Sequence, residues 1–135
     1  MTDKTADHAE RIRSTIRRYQ STFSENDRAG WIALFTEDAV LEDPVGTHRC
    51  DGHVALGEFW DRIHVSGHHA FVVPVTTPAV CGLEAAWAFE VHVDAGDVEH
   101  VISIIDVGQF TEDGLITHNR AFWDPSTVQV VPRPP

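Results

Sequence analysis

The chain has 135 residues, of which 42% are hydrophobic, and carries a formal net charge of −11 at pH 7. Its length favours one domain over residues 1–135, with an ordered core at about 7–126 and a disordered tail at 127–135. The negative charge argues against a protein that binds nucleic acid or an anionic membrane surface, because contacts with phosphates need clustered Lys and Arg. The negative charge does not oppose the binding of an uncharged, apolar ligand.

The two cysteines, Cys50 and Cys81, are too few for a disulfide framework, and Cys81 stands in an apolar run that is typical of the core. The N-terminal segment lacks the apolar stretch of a signal peptide, and no run approaches the roughly 18 apolar residues of a transmembrane helix. These features predict a soluble protein in the reducing environment of the cytoplasm.

The first predicted helix runs from about Asp7 to Glu25, and its apolar side chains recur every three or four residues. That face comprises Ala9, Ile12, Ile16, Tyr19 and Phe23. Tyr19, the only tyrosine of the chain, must bury its ring there and still find a partner for its hydroxyl group. A short second helix is expected with Asp27 as its N-cap, and a third from about His53 to Ile63.

The segment VLEDPVG, residues 40–46, predicts a strand in which two acids interrupt the apolar residues. Side chains alternate along a strand, so Glu42 and Asp43 point to opposite faces. Asp43 shares its face with Leu41, and the following Pro44 biases it to an extended backbone. An acid is therefore expected on the apolar face at the end of this strand.

After the third helix the apolar period changes from about 3.6 to 2, which predicts strands at residues 70–80, 85–94, 98–110 and 115–124. Pro74 indicates an edge or a bulge in the first of these strands. Helices followed by strands joined through hairpins predict an α+β domain. We expect three helices on one face of a strongly curved, mostly antiparallel sheet that encloses an apolar pocket.

The strand at 98–110 is apolar on nearly both faces and should be central, yet Asp106 shares a face there with Ile102 and Ile104. Burial of an ionised carboxylate is costly enough that the group usually takes up a proton. A protonated carboxyl can donate a hydrogen bond, which an ionised one cannot. Tyr19 and Asp106 are thus two candidate O–H donors, and Asp43 is a candidate base.

These three residues, Tyr19 in IRRYQSTF, Asp43 in VLEDPVG and Asp106 in ISIIDVGQF, resemble the catalytic triplet of the bacterial ketosteroid isomerases. The intervals of 24 residues (19 to 43) and 63 residues (43 to 106) agree with that family's pattern. The likeness extends through GWIALFTEDAVLEDPVG, GHVALGEFW and AFW, and covers about residues 10–124. The resemblance implies the cone-shaped fold shared with nuclear transport factor 2 (NTF2-like).

The resemblance also implies roles. Asp43 would move a proton within a 3-oxo-Δ5 steroid, while Tyr19 and neutral Asp106 would form the oxyanion hole for the dienolate oxygen. No metal or organic cofactor is implied, and the assembly would be a homodimer formed through the outer face of the sheet. An apolar cavity lined by Trp60, Phe89, Val91 and Trp123 would exclude water and accept the steroid rings.

Other functions remain open. The family supports its catalytic phenol with a second tyrosine where this chain has Trp60, whose indole N–H is the available donor to Tyr19. A steroid-binding protein with little turnover is one alternative. A polyketide cyclase or a dehydratase is another; a dehydratase would carry a His–Asp pair, for which His92 and His100 are the candidates.

Five other histidines lie in predicted loops or at helix edges, without H-E-x-x-H or cysteine spacing. They are His48, His53, His64, His68 and His69. We expect them to be solvated and predict no metal site.

Overall fold

The structure, a computed structural model, describes residues 4–64 and 69–134. The helices are α1 (Lys4–Ser24), α2 (Arg28–Ile32) and α3 (Gly52–Ile63). The strands are β1 (Phe35–Glu42), β2 (Arg49–Asp51), β3 (Ala70–Pro74), β4 (Ala79–Cys81), β5 (Glu84–Asp94), β6 (Val98–Phe110), β7 (Ile116–Phe122) and β8 (Val128–Pro132). A short 3₁₀ turn, Pro125–Thr127, precedes β8.

The strands form one curved, unclosed sheet in the order β2-β1-β7-β6-β5-β3, with β4 added to β5 and β8 added to β6. β1 and β7 are parallel, and every other strand pair is antiparallel. Helix α1 packs against β3 and β4, and α3 packs against β1 and β2. The predicted α+β fold class is therefore confirmed.

The apolar periodicities of the sequence account for most of these elements. The stripe on α1 is buried, with Ile12 at 0% and Ile16 at 1% exposure, and the carboxylate of Asp27 accepts a hydrogen bond from the Gly30 amide to cap α2. Strand β6 is central as predicted, because β5, β7 and β8 all pair with it. Pro74 ends β3, which lies at the edge of the sheet.

Two expectations are wrong. Residues 127–135 were predicted to be a disordered tail, but Val128–Pro132 forms a strand whose backbone pairs with Val98–Ile102 of β6. Cys81 was expected in the core but is exposed on the short strand β4, whereas Cys50 is buried. Both errors arise because an apolar run in the sequence does not show which element of the fold packs against it.

Helix α1 is the longest helix in the described residues, and neither it nor α2 or α3 has the apolar stretch that a bilayer crossing requires.

Candidate active site

The acid at the end of β1 faces inward, as the alternation predicted. Glu42 points to the outer face, where its carboxylate accepts hydrogen bonds from His118 at 2.8 Å and from Arg120 at 3.1 Å. Asp43, the next residue, lies on the wall of an internal cavity. The two adjacent acids therefore have opposite environments, one ion-paired at the surface and one beside apolar side chains.

A tight turn and a tryptophan fix the position of Asp43. Its backbone N–H donates to the His48 carbonyl at 2.9 Å, and the N–H of Val45 donates to the Ala121 carbonyl at 3.0 Å. This second bond ties the turn to the end of β7, so Trp123 lies next to Asp43. The indole Nε1 of Trp123 donates to Asp43 Oδ1 at 2.5 Å, which leaves Oδ2 to face a ligand.

Burial raises the pKa of Asp43 to about 6, although the hydrogen bond from Trp123 opposes the rise. Desolvation disfavours the charged form of a carboxyl group, and the indole N–H stabilises it. At pH 7 this carboxylate is still mostly ionised, and it is a stronger base than a solvated aspartate.

Asp106 lies deep in the molecule, with 0% exposure. On β6 it pairs with Trp87 of β5 and Ala121 of β7. The side-chain amide of Asn119 donates to Asp106 Oδ2 at 2.9 Å, whereas Oδ1 has no hydrogen-bond partner among the described residues. Burial and the nearby charge of Asp43 raise the pKa of Asp106 well above its ordinary value, which favours the neutral, protonated form of this acid.

Tyr19 lies in an aromatic cage, with 5% exposure. Its ring centroid is 5.8 Å from that of Trp31, 6.1 Å from that of Phe35 and 6.3 Å from that of Trp87. Burial raises the pKa of the phenol well above 10, and the charges of Asp106 and Asp43 raise it further. The three predicted catalytic groups are thus close enough to influence one another's protonation.

The cavity beside Asp43 has a volume of about 330 Å³, at the lower end of the range for small-molecule sites. Its lining consists of Asp43, Phe59, Arg62, Ile63, Val91, Val93, Ile102, Ile104 and Trp123. Tyr19 and Asp106 are not part of this lining; both are buried, and Asp106 lies two residues beyond the lining residue Ile104 on β6.

Of the four predicted ligand-contacting residues, Val91 and Trp123 line the cavity. Phe89 is buried on the same face of β5 but is not part of the lining. Trp60 packs in the core, 5.2 Å from Trp31 and stacked at 3.9 Å on His64.

Sequence reasoning missed the polar and indole neighbours of the trio. Trp31, rather than Trp60, lies beside the phenol, and both Trp31 and Asn119 oppose the rise in the pKa of Tyr19. The available signal for Asn119 was the alternation along β7, which places it on the same face as Ala121. Gly108 lies opposite Asn119 in the sheet, and a Cβ there would be 3.2 Å from Asn119 Oδ1.

Three histidines expected to be solvated, His48, His53 and His64, are partly buried instead. His53 Nε2 bonds the Phe35 carbonyl oxygen at 2.9 Å, and the His64 ring stacks on Trp60. His68 lies outside the described residues. Within residues 4–64 and 69–134, no group of three or more His, Cys, Asp or Glu side chains could hold a metal ion.

The two histidines considered for a dehydratase do not join the cavity. His92 points to the outer face of β5, where it contacts Glu99 and bonds Glu90 at 3.0 Å. His100 pairs with Val93, which places it on the cavity face, but it is not part of the lining. A dehydratase-type His–Asp pair is therefore not present in the lining formed by the described residues.

Comparisons with known proteins identify the family of this chain. The model of the SnoaL-like domain family matches residues 16–119. A steroid Δ-isomerase of Nocardioides simplex is 37% identical over 121 residues, which cover 90% of this chain and 96% of that protein.

Solved structures show the same fold at low identity. The epoxide hydrolase/cyclase-like enzyme SalBIII, described in pyran ring formation in salinomycin, has a TM-score of 0.82 and 24% identity, covering 92% of this chain and 98% of that one. The Δ5-3-ketosteroid isomerase from Mycobacterium sp. has a TM-score of 0.78 and 20% identity, covering 90% and 98%. The chain therefore belongs to the SnoaL-like (NTF2-like) family, with the ketosteroid isomerases among its relatives, as its three motifs predicted.

Proposed function

We propose that this protein is a steroid Δ-isomerase that moves the C=C bond of a 3-oxo-Δ5 steroid into conjugation with the carbonyl. One observation carries the proposal: the partly buried carboxylate of Asp43, with its pKa raised to about 6, lies on an apolar cavity wall, near enough to Tyr19 and Asp106 that its charge raises the pKa of both. The 37% identity to a steroid Δ-isomerase supports the same reaction.

Asp43 is the proposed base. The carboxylate removes a proton from the carbon between the carbonyl and the double bond, and the resulting carboxylic acid returns the proton two carbons further on. Trp123 holds Oδ1 during both steps, so that Oδ2 carries the proton. A positioned base of this kind contributes roughly 10²–10⁴-fold.

Tyr19 and Asp106 are the proposed oxyanion hole. Proton removal places negative charge on the ketone oxygen, and a hydrogen-bond donor aimed at that oxygen contributes about 3–4 kcal/mol. Because Asn119 occupies Asp106 Oδ2, the acid proton is on Oδ1, the atom that has no partner among the described residues. Such an unpaired buried atom needs an explanation, and a ligand oxygen supplies one.

The steroid rings are proposed to contact Val91 and Trp123 directly, with Phe89 and Trp60 supporting that wall from behind. A computationally designed 17-OHP binder shares the fold, with a TM-score of 0.78 and 23% identity over 89% of this chain and 95% of that one. This mechanism uses the chain's own groups, because proton transfer by a carboxylate needs no metal or organic cofactor.

We place the protein in the cytoplasm, where the free thiols of Cys50 and Cys81 are stable.

A second candidate function is steroid binding with little turnover. The observation that favours it is the surroundings of Tyr19, where the nearest rings, Trp31, Phe35 and Trp87, carry no hydroxyl group that could extend a tyrosine network. The absorbance that appears when a Δ5-3-ketone becomes a conjugated Δ4-3-ketone separates the two functions. Turnover by the wild-type protein supports isomerisation, whereas tight binding without an absorbance change supports the alternative.

The pH profile of kcat/KM should rise as Asp43 ionises, with a midpoint near pH 6, and then stay level. The raised pKa keeps the carboxyl group protonated below this midpoint, and a protonated base cannot abstract a proton. Rates measured from pH 4.5 to 9 test the midpoint. A profile that is flat down to pH 4.5 would show that a group other than Asp43 is the base.

Replacing Asn119 with leucine should lower kcat by about 10-fold and change KM little, because Asp106 would lose the bond that orients it. Thr15→Val is the matched control: Thr15, one turn before Tyr19 on α1, is 8% exposed, and its hydroxyl group donates to the Gly114 carbonyl at 2.6 Å rather than to a member of the trio. Both variants should lose stability in thermal unfolding, but only Asn119→Leu should lose kcat. Equal kcat values in the two variants would leave Asn119 with a structural role alone.

We also propose a homodimer formed through the outer face of the sheet. Ile105 and Phe122 pair across β6 and β7 on that face and are 53% and 41% exposed. Light scattering after size-exclusion chromatography should give twice the chain mass for the wild-type protein and a monomer for Ile105→Lys. A monomeric wild-type protein would rule out this assembly.

A further inference from the structure

The cavity wall carries one positive charge that proton transfer does not use. Arg62, in the last turn of α3, is the one cationic side chain among the lining residues in the described part of the chain. Apart from Asp43, the other lining side chains are apolar or aromatic. Arg62 is exposed, whereas Asp106 has 0% exposure, so the guanidinium lies at the rim and the proposed oxyanion hole at the buried end.

His48 holds the guanidinium in place. Arg62 Nη2 contacts His48 Nε2, and because arginine has no acceptor, Arg62 donates and the ring nitrogen of His48 accepts. The backbone carbonyl of His48 in turn accepts the N–H of Asp43. Arg62 is thereby fixed to the same turn as the base, and its other N–H groups remain available to a ligand.

Arg62 has no carboxylate partner among residues 4–64 and 69–134, in contrast to its neighbours. Arg28 pairs with Asp61 at 2.9 Å, Arg49 with Asp51 at 3.1 Å and Arg120 with Glu42 at 3.1 Å. Because His48 rather than an acid holds the Arg62 guanidinium, its positive charge remains for an incoming group. The planar fork of arginine suits a carboxylate, which it binds through two parallel hydrogen bonds.

We propose that the ligand is a fused-ring ketone with a carboxylate on the part that remains at the rim, and that Arg62 binds this carboxylate. The proposal rests on the proposed function for the orientation of the ligand. With the ketone oxygen at the buried end beside Asp106 and Tyr19, the opposite end of the rings reaches the rim. A ligand anion placed at the buried end would be repelled by Asp43, so the charges of the site favour this orientation alone.

The test compares two ligands that differ only at this end: a 3-oxo steroid with a side-chain carboxylate and its methyl ester. Dissociation constants are measured by calorimetry, at low and at high salt. We expect the wild-type protein to bind the acid about five-fold more tightly than the ester, the size typical of a partly exposed ion pair. Salt should reduce the difference.

Arg62→Gln keeps a hydrogen-bond donor but removes the charge, and should bind the acid and the ester equally. Arg49→Gln is the matched control, since it removes an exposed guanidinium that is paired with Asp51 outside the cavity lining, and it should keep the five-fold preference. Equal affinities in the wild-type protein, or the same loss in both variants, would overturn the proposal.

Binding is measured without turnover, so the two proposals fail separately. A preference for the acid in a protein that does not isomerise either ligand would contradict the isomerase and leave the carboxylate site standing. Isomerisation of both ligands by a protein that binds them with equal affinity would support the isomerase and overturn the carboxylate site.

Discussion

Replacing Asp43 with asparagine is expected to abolish isomerisation, by at least about 10³-fold in kcat, while ligand binding is retained. The amide has nearly the shape of the carboxyl group and its oxygen still accepts the Trp123 hydrogen bond, but it cannot take a proton from carbon. Turnover is followed by the absorbance of the conjugated ketone, and binding by calorimetry. Turnover that survives in Asp43→Asn would remove Asp43 from the mechanism.

The same substitution should stabilise the protein, because the wild-type fold buries a carboxyl group whose pKa is raised from 3.8 to about 6. Below about pH 4 the group is protonated in both the folded and the unfolded state, so its burial does not lower the free energy of unfolding. Between about pH 4 and 6 the unfolded state ionises first, so the free energy of unfolding falls as pH rises. Above about pH 6 the loss in the free energy of unfolding reaches its full value of about 3 kcal/mol.

Denaturant unfolding of Asp43→Asn should therefore show a gain of up to about 3 kcal/mol at pH 8 that vanishes near pH 4. Glu42→Gln is the matched control on the adjacent residue. Glu42 bonds His118 and Arg120, and its pKa is lowered, chiefly by the bond from His118. That variant should keep full turnover and lose stability at pH 7. Equal turnover in the two variants would contradict the assignment of the base.

Asp106→Leu is expected to lower kcat by about 10²–10³-fold, whereas Asp106→Asn should keep most of the activity. The two replacements are uncharged and have the same number and branching of side-chain heavy atoms, and they differ in whether a donor remains at the position of Oδ1. Asparagine also keeps an acceptor for Asn119, while leucine leaves that buried amide unpaired, which costs about 1–3 kcal/mol of stability. Initial rates at saturating substrate provide the measurement.

The asparagine variant decides which form of Asp106 acts. Burial raises the pKa of this group well above its usual range, so a neutral donor is expected at the site. If Asp106→Asn is as inactive as Asp106→Leu, an ionised carboxylate is required, and the proposed oxyanion hole is wrong. If both variants are fully active, Asp106 has no part in the reaction.

Simple periodicity predicted much of the positioning of the trio. Strand alternation placed Glu42 outside and Asp43 inside, the helical stripe buried Tyr19, and the alternation of β6 buried Asp106, as the structure has them. The family motifs added the fold, which the comparisons confirm. The catalytic roles of these residues stay predictions until the variants are measured.

Neighbours across the fold could not be predicted in the same way. Trp31 rather than Trp60 lies beside the phenol, and Asn119 reaches Asp106 from the next strand because Gly108 opposite it leaves room for the amide. Arg62 of α3 lines the cavity and contacts His48, which lies in the turn after β1. None of these pairs is close in sequence.

Sequence alone determined the helices, most of the strands, the family and the inward faces of Tyr19, Asp43 and Asp106, because each follows from a local period of about 2 or 3.6 residues or from a motif. Tertiary structure alone decided which side chains line the cavity, which oxygen of Asp106 is left unpaired, and that β8 covers one end of β6. These features depend on strand register and sheet curvature, which bring together residues as much as 80 positions apart, such as Asp43 and Trp123.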